Sequence, residues 1–329
     1  MLLSFTVVSS TLHTILVKFG LSDGRAELCA RLFAEASRDG VYSHGLNRFP
    51  RFIETIRSGL VYLDAEPTLV SSLGALERWD GNSGPGNLNA YASMNRAIEL
   101  AQRHGIGCVA LRNTNHWMRG GSYGWQAADA GMIGICWTNT LPNLPPWGGT
   151  KPTLGNNPFV LAVPDNEGHI VLDMAMSQFS FGALESYRKR GEQLPVIGGF
   201  DREGNLTADP AAIEESARPL PIGYWKGSGL SLMLDLVAAI LSDGSATNQI
   251  PQEVVKETKL SQVFIAIKPT NDNKHQIVES AVEFMKTSDP ETVRYPGERT
   301  RATRRKNLDE GIPVDEVIWE QIVKMSDML

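Results

Sequence analysis

Paired cysteines are missing from this chain. Its three, Cys29, Cys108 and Cys136, stand far apart in apolar surroundings. That excludes a disulfide framework or a cysteine-held zinc site and reads as buried thiols in a reducing compartment. A basic surplus is missing too: 31 Lys and Arg face 37 Asp and Glu, for a net charge of −6, the wrong balance for a nucleic-acid partner. No apolar run approaches the roughly 18–20 residues that cross a bilayer. The apolar N-terminus MLLSFTVVSSTLHTILVKFG carries its first basic residue only at Lys18, whereas a secretory signal places charge before the apolar run. These absences lead us to expect a cytoplasmic protein with no membrane partner. A Walker loop, an HExxH pair and a G-x-S-x-G elbow are also lacking. No His, Asp or Glu spacing suggests a metal, and the acidic stretch DREGNLTAD does not follow the calcium-loop pattern.

What is present is an ordinary globular composition, 42% hydrophobic and 21% charged over 329 residues, ample for a buried core. Residues 24–38 repeat Leu28, Leu32, Phe33 and Ala36 at helical spacing, and Asp39-Gly40 supplies a stop. GVYSHGLNRFPRF follows as a loop, and a helix resumes until Gly59. The pattern changes near Leu73. GNLNAYASMNRAIELAQRHG is a helix, GCVALRN a buried strand, TNHWMRGGSYGWQAADAG a glycine-rich loop entering a short helix, and MIGICWTN another strand. In PFVLAVPDNEGHIVLDMAMS two β-rich runs are separated only by Asp165-Asn166-Glu167-Gly168, too short for a parallel crossover and therefore a hairpin. Residues 186–226 read as a long ordered loop, SGLSLMLDLVAAILSDG as a helix buried on all sides, and SQVFIAIKP as the strand that closes the sheet. The tail ends in an amphipathic helix, VDEVIWEQIVKM. The expected fold is α+β: a helical lobe from residues 1–72 plus 270–329, and a lobe over residues 73–269 with a mostly antiparallel sheet.

One dinucleotide fingerprint exists, Gly105-Ile106-Gly107-Cys108-Val109-Ala110. Its context is inverted, because such a motif must leave a strand and open a helix; here it reads as a helix stop with close packing. His44 is a different matter. An imidazole can pass a proton to a developing alkoxide, Ser43 can orient the ring, and Arg48 offers the planar fork that grips a carboxylate. Against this, a loop histidine is also a common structural residue. Asn115-His116 lies in a second polar loop after a buried strand, with Gly120, Gly121 and Gly124 permitting close approach; a satisfied turn histidine is the plainer alternative. In GYWKGSG, Lys226 and the start of an apolar helix suit an anion, and the rings of Tyr224 and Trp225 can stack on a base. The arginines of RYPGERTRATRR either face water or form a further anion clamp.

Taken in order, GVYSHGLNRFPRF, GIGCVALRNTNHWMRGGSYGWQAA, LGNNPFVLAVP, LDMAMSQFSFGALE, QLPVIGGFDREGNLT, GYWKGSGLSLMLD and YPGER make the sequence similar to the malate/L-lactate dehydrogenase family, whose cofactor-binding fold is not a Rossmann fold. The resemblance runs through nearly the whole chain. It implies NAD(P)H-dependent reduction of a 2-keto acid, with NADH the expected cofactor and a 2-keto sugar acid the expected substrate. Malate, lactate, sulfolactate or ureidoglycolate are alternatives within the family, and a sugar-acid-binding protein without turnover is an alternative outside it. By motif, His44 would be the proton donor and Ser43 its orienting neighbour, Arg48 the carboxylate clamp, and His116 and Asn156 the walls of the substrate pocket. His169, Ile170, Val171, Leu172, Asp173, Met174 and Ala175 would contact the cofactor, as would Trp225, Lys226, Gly297 and Glu298. A homodimer with its active site near the interface is also implied. Two positions depart from the pattern. Ala183 stands where imine-reducing relatives place an aspartate, and Asn156 where many relatives have threonine.

Overall fold

Ser4 opens the first helix by accepting the Val7 N–H on its hydroxyl at 3.3 Å. This helix, α1 (Phe5–Lys18), lies against α2 (Asp23–Arg38) and buries Val8, Leu12, Ile15 and Leu16 with Cys29 and Phe33. The computed structural model describes residues 1–253 and 256–327. α3 (Phe49–Arg57) adds Phe49, Phe52 and Ile53 to the same cluster. The other chain end joins it. β1 (Leu2–Leu3) pairs with β13 (Ile312–Pro313), and α11 (Glu316–Asp327) contributes Ile322 and Met325.

Seven strands form the main sheet in the order β2 (Thr68–Leu73), β3 (Leu76–Asp80), β4 (Ile106–Thr114), β12 (Leu260–Ile267), β5 (Ile133–Thr138), β8 (Phe159–Val163), β9 (Ile170–Met174). Every pairing is antiparallel except β3 with β4, where α4 (Gly86–His104) supplies the crossover that a parallel pair needs. The hairpin expected from the four-residue turn is β8–β9, with Val163 opposite Ile170. The strand expected to close the sheet, β12, instead lies at its centre between β4 and β5. A central strand is covered on both faces, which is why it reads as one apolar run.

The inverted glycine motif is a packing device. Gly105 ends α4 with φ +83°, and a Cβ at Gly107 would sit 2.2 Å from the Ala97 carbonyl oxygen. α4 and α5 (Gly121–Asp129) bury their apolar sides with Val109, Leu111 and Phe264 of the sheet. Leu234 and Ala238 of α8 (Trp225–Ser242) pack with Trp137 and Val263 in a separate cluster.

Two expectations are corrected here. Residues 186–226 are not a loop. α6 (Phe181–Arg190), the pair β10 (Gly199–Phe200) and β11 (Leu206–Thr207), and α7 (Pro210–Ser216) surround a small core of Leu184, Leu194 and Ile213; glycine and proline density concealed elements this short. And α8 is a helix, but not one buried all round. Leu230, Met233, Leu236 and Ile240 are exposed, Ile240 at 71%. With 18 residues and a mean hydropathy of 1.2 it is also long and apolar enough to cross a membrane by length and composition, a length the sequence reading did not credit to any run. Its opposite side is committed to the protein: the Trp137 indole N–H donates to the Leu234 carbonyl at 2.9 Å, and buried Asp235 accepts from Asn139 and from the Thr247 N–H. A pair of short strands, β6 (Pro142–Leu144) and β7 (Leu154–Gly155), and the helices α9 (Lys274–Lys286) and α10 (Glu298–Glu310) complete the fold.

Asp39, at the end of α2, ties distant segments together. Its carboxylate accepts from Arg38 at 2.8 Å, from Arg119 at 2.6 Å, and from Arg304 of α10 at 2.8 and 2.7 Å. Burial alone would raise its pKa, but hydrogen bonds from Arg304 and Arg38 and the charge of Arg119 hold it well below the usual carboxylate range. The stabilisation is therefore complete at neutral pH and is lost only as pH falls below about 4. Asp39→Asn should cost roughly 3–5 kcal/mol, because it strands the buried Arg119 charge. Urea unfolding at pH 7 measures this, and a loss under about 1 kcal/mol would mean the cluster is energetically idle.

Candidate active site

The GVYSHGLNRFPRF segment is two consecutive 3-10 turns, Tyr42–His44 and Leu46–Arg48. Gly45 joins them. A Cβ there would lie 2.1 Å from the Ser37 hydroxyl, and the same hydroxyl accepts the Leu46 N–H at 2.8 Å. The turns are thus pressed onto the end of α2, with Leu46 and Phe49 buried beneath, and His44 and Arg48 both face one cleft. The second loop, after β4, is anchored by Asn115, whose amide donates to the Ser83 and Gly84 carbonyls. It brings His116 over His44, ring centroids 5.8 Å apart and planes inclined by 22°.

The opposite wall is β9 with the turn before α10. The Val171 N–H donates to the Pro296 carbonyl at 3.0 Å, and a Cβ on Gly297 would stand 3.1 Å from Val171 N. Asp173 accepts the Gly121 N–H at 2.8 Å, and any Cβ at Gly121 would strike that carboxylate. The cleft encloses about 900 Å³, near the top of the range of roughly 300–1,000 Å³ for small-molecule sites. It is lined by Ser43, His44, Arg48, His116, Asn156, Val171, Leu172, Asp173, Ala175 and Gly297. The N-terminus of α6 closes one side, with Gly182 beside the Ser43 hydroxyl.

A scan of family models matches malate/L-lactate dehydrogenase over residues 3–323. The chain belongs to the malate/L-lactate dehydrogenase family. It is an oxidoreductase of the pyridine-nucleotide-dependent kind. It is 47% identical to 2,3-diketo-L-gulonate reductase of Escherichia coli K12, over 98% of this chain and 99% of that one. Among solved structures it resembles sulfolactate dehydrogenase from Methanocaldococcus jannaschii (TM-score 0.91, 30% identity, covering 100% and 97% of the two chains). It also resembles malate dehydrogenase from Pyrococcus horikoshii (TM-score 0.87, 28% identity, 100% and 95%).

Within this family fold the electrostatics are lopsided. Arg48, Arg51 and Arg119 line the cleft against two carboxylates, Asp173 and Glu257, among the described residues. Burial, then Arg48 and Arg119, lower the His44 pKa to about 4, so the free site keeps a neutral imidazole. Ser43 Oγ lies 3.0 Å from its Nδ1. Burial, Arg48 and His44 likewise hold His116 neutral. Its Nδ1 accepts the Met118 N–H at 3.0 Å, which places the ring proton on Nε2. Asp173 is open to the cleft yet ringed by protein; desolvation raises its pKa while Arg119 and the Gly121 N–H pull it back.

Six of the residues to which the resemblance gave a cofactor role do not line this cleft. His169 is held outside it by Asp129 and the Asp165 N–H, Glu298 is paired with Lys286, and Ile170 and Met174 pair with Val163 and Phe159 in the hairpin. Trp225 and Lys226 open α8 away from it, Trp225 at 67% exposure. Asn156 lines it, with its Oδ1 taken by the Ser177 N–H at 2.8 Å. Sequence reasoning missed Arg119, visible in NHWMRGG but assigned no role, and Glu257, which no motif marks.

If Arg48 helps depress the His44 pKa, Arg48→Gln should raise it from about 4 toward the unperturbed value near 6.5. An NMR titration of the ring proton in the free protein reads this; a midpoint that stays in place would leave burial and Arg119 as the causes.

Proposed function

We propose that this chain reduces the 2-keto group of 2,3-diketo-L-gulonate with NADH, His44 giving the proton. The observation that carries the reading is the stacked pair His44 and His116 beside Arg48, in one cleft whose facing wall is the glycine-cradled β9. The 47% identity to a reductase of that name along both chains supports the substrate.

The bound nicotinamide would supply the hydride. The protein does the rest. Arg48 pairs with the substrate carboxylate and so fixes the carbonyl between the imidazoles. His116, donating from Nε2, polarises the carbonyl oxygen, and His44 protonates it as the alkoxide develops. A carboxylate against Arg48 also cancels part of the charge that keeps His44 neutral, so substrate binding itself raises the imidazole's affinity for its proton. Ser43 keeps Nδ1 oriented. Val171 to Ala175 and Gly297 offer the surface on which the dinucleotide lies. Two of the arginines suited to a 2′-phosphate are engaged elsewhere: Arg304 with Asp39 and the Trp125 ring, Arg301 with Tyr295 and the Glu167 carbonyl. This favours NADH over NADPH. Three free cysteines fit a reducing cytoplasm.

We further propose a homodimer built on α8. Leu230, Met233, Leu236 and Ile240 share one helical face and are exposed. Covering that face with a second copy would also bring Trp225 and Lys226, which open the same helix, to the edge of a shared site.

His44→Ala should lower turnover of 2,3-diketogulonate by on the order of 10²–10⁴-fold with NADH affinity unchanged, read by NADH absorbance and by fluorescence titration; near-normal turnover would remove the proton donor. Ile240→Asp should shift the sedimenting species from two chains to one, and an unaltered dimer would place the interface elsewhere.

A further inference from the structure

The His116 ring is a satisfied turn histidine on one side only. Its Nδ1 accepts the Met118 N–H at 3.0 Å, a bond of the kind Asn and Asp side chains make in turns. Its Nε2 has no hydrogen-bond partner among the described residues, and the ring lines the cleft. The donor N–H belongs to the Trp117–Met118 peptide, and the other end of that peptide is held as well. Tyr123 of α5, 1% exposed, donates its hydroxyl to the Trp117 carbonyl. One peptide is thus gripped from both sides, by a buried phenol away from the cleft and by an imidazole inside it. Accepting a hydrogen bond on its oxygen also makes the same peptide a better donor at its nitrogen.

The grip has something to resist. Trp117 packs with Phe264 of the sheet, Met118 into the core of the helical lobe, and the Arg119 guanidinium bonds Asp39. Three consecutive side chains with three separate anchors turn the chain sharply. Met118 accordingly stands at φ +65°, in the left-handed region that a long side chain seldom adopts. Turning the Trp117–Met118 peptide over would return Met118 to negative φ and carry its N–H away from His116. Such strain persists only where the surroundings hold it. Here the flip would leave the Trp117 carbonyl without its donor and the phenol with the Asn87 carbonyl at 3.4 Å. We propose that Tyr123 is a positioning residue: acting through the Trp117–Met118 peptide, it holds His116 in the one tautomer whose proton points from Nε2 into the cleft. Its importance to turnover rests on the reading that His116 polarises the substrate carbonyl. A ring protonated on Nδ1 would present a lone pair to that oxygen and oppose the charge that develops on it.

NMR of the free protein with 15N-labelled histidine reads the tautomer directly, the His116 signals being assigned by their loss in His116→Gln. Wild-type protein should show a bare Nδ1 and a proton-bearing Nε2. In Tyr123→Phe, which removes one hydroxyl and keeps the ring, the two resonances should move toward each other as both tautomers become populated. Losing an aimed donor outright costs on the order of 10²–10³-fold, so partial loss should lower kcat on 2,3-diketogulonate by about tenfold. KM should stay close to wild type, as should NADH affinity by fluorescence titration, which also establishes that each variant is folded. Adding Met118→Gly, for which a positive φ carries no strain, should restore the single tautomer although it deletes a buried side chain. Were Tyr123 only a core residue, Tyr123→Phe would lower the urea midpoint and leave the ring untouched. A His116 that keeps its tautomer in Tyr123→Phe overturns the proposal, and so does one that stays mixed once glycine is added. The NMR reading needs no substrate. A tautomer that shifts while turnover holds would therefore strike His116 from the reaction and leave the hold of Tyr123 on its ring established.

Discussion

Three guanidiniums share the carboxylate of Asp39, and the cleft exists in its present shape because they do. Asp39 ends the helix on which the His44 turns rest. Arg119 belongs to the loop that carries His116, and Arg304 to the helix that begins at Gly297. One buried anion thus fixes both sides of the cavity to its floor. A neutral substitute would leave the buried Arg119 charge uncompensated in a low-dielectric pocket, with Arg38 and Arg304 beside it. The arrangement also explains why Arg119 faces the cleft without becoming a free anion receptor: its charge is already shared with Asp39.

The second constraint is the surroundings of His44. Burial first, then the nearby charges of Arg48 and Arg119, lower its pKa to about 4, so its ring is neutral in the free cleft. A site that must protonate an alkoxide gains from this. On the proposed mechanism, His44 would be uncharged in the empty cleft, where it would repel Arg48, and would become protonable once a substrate carboxylate lay against that arginine.

How much of this was legible beforehand depends on whether the determining contact is local. The hairpin was legible because four residues cannot make a crossover, and the inverted glycine motif because order along the chain settles whether a helix or a strand comes first. His44 and Arg48 were legible as a pair, although they share a face through two 3-10 turns and a glycine that only fits because Ser37 lies beneath it. Glu257 was not legible. It reaches Arg48 from more than two hundred positions away, in a stretch whose composition resembles any solvated turn. Nor was the small core of Leu184, Leu194 and Ile213, since its elements are short and glycine and proline dominate the local signal.

α8 shows where a periodicity argument ends. A helix apolar on every side must be covered on every side, and the sequence reading spent that requirement on the interior of a single chain. The sheet covers only the side with Leu234 and Ala238. The side with Met233 and Ile240 remains outside, while Trp137 and Asp235 bond the other side to the rest of the protein. Hydrophobicity thus states how much surface must be removed from water without naming the chain that removes it. When a helix of this kind begins with an aromatic and a lysine beyond the reach of their own cleft, the economical inference is that burial and site completion are one event, performed by a second copy.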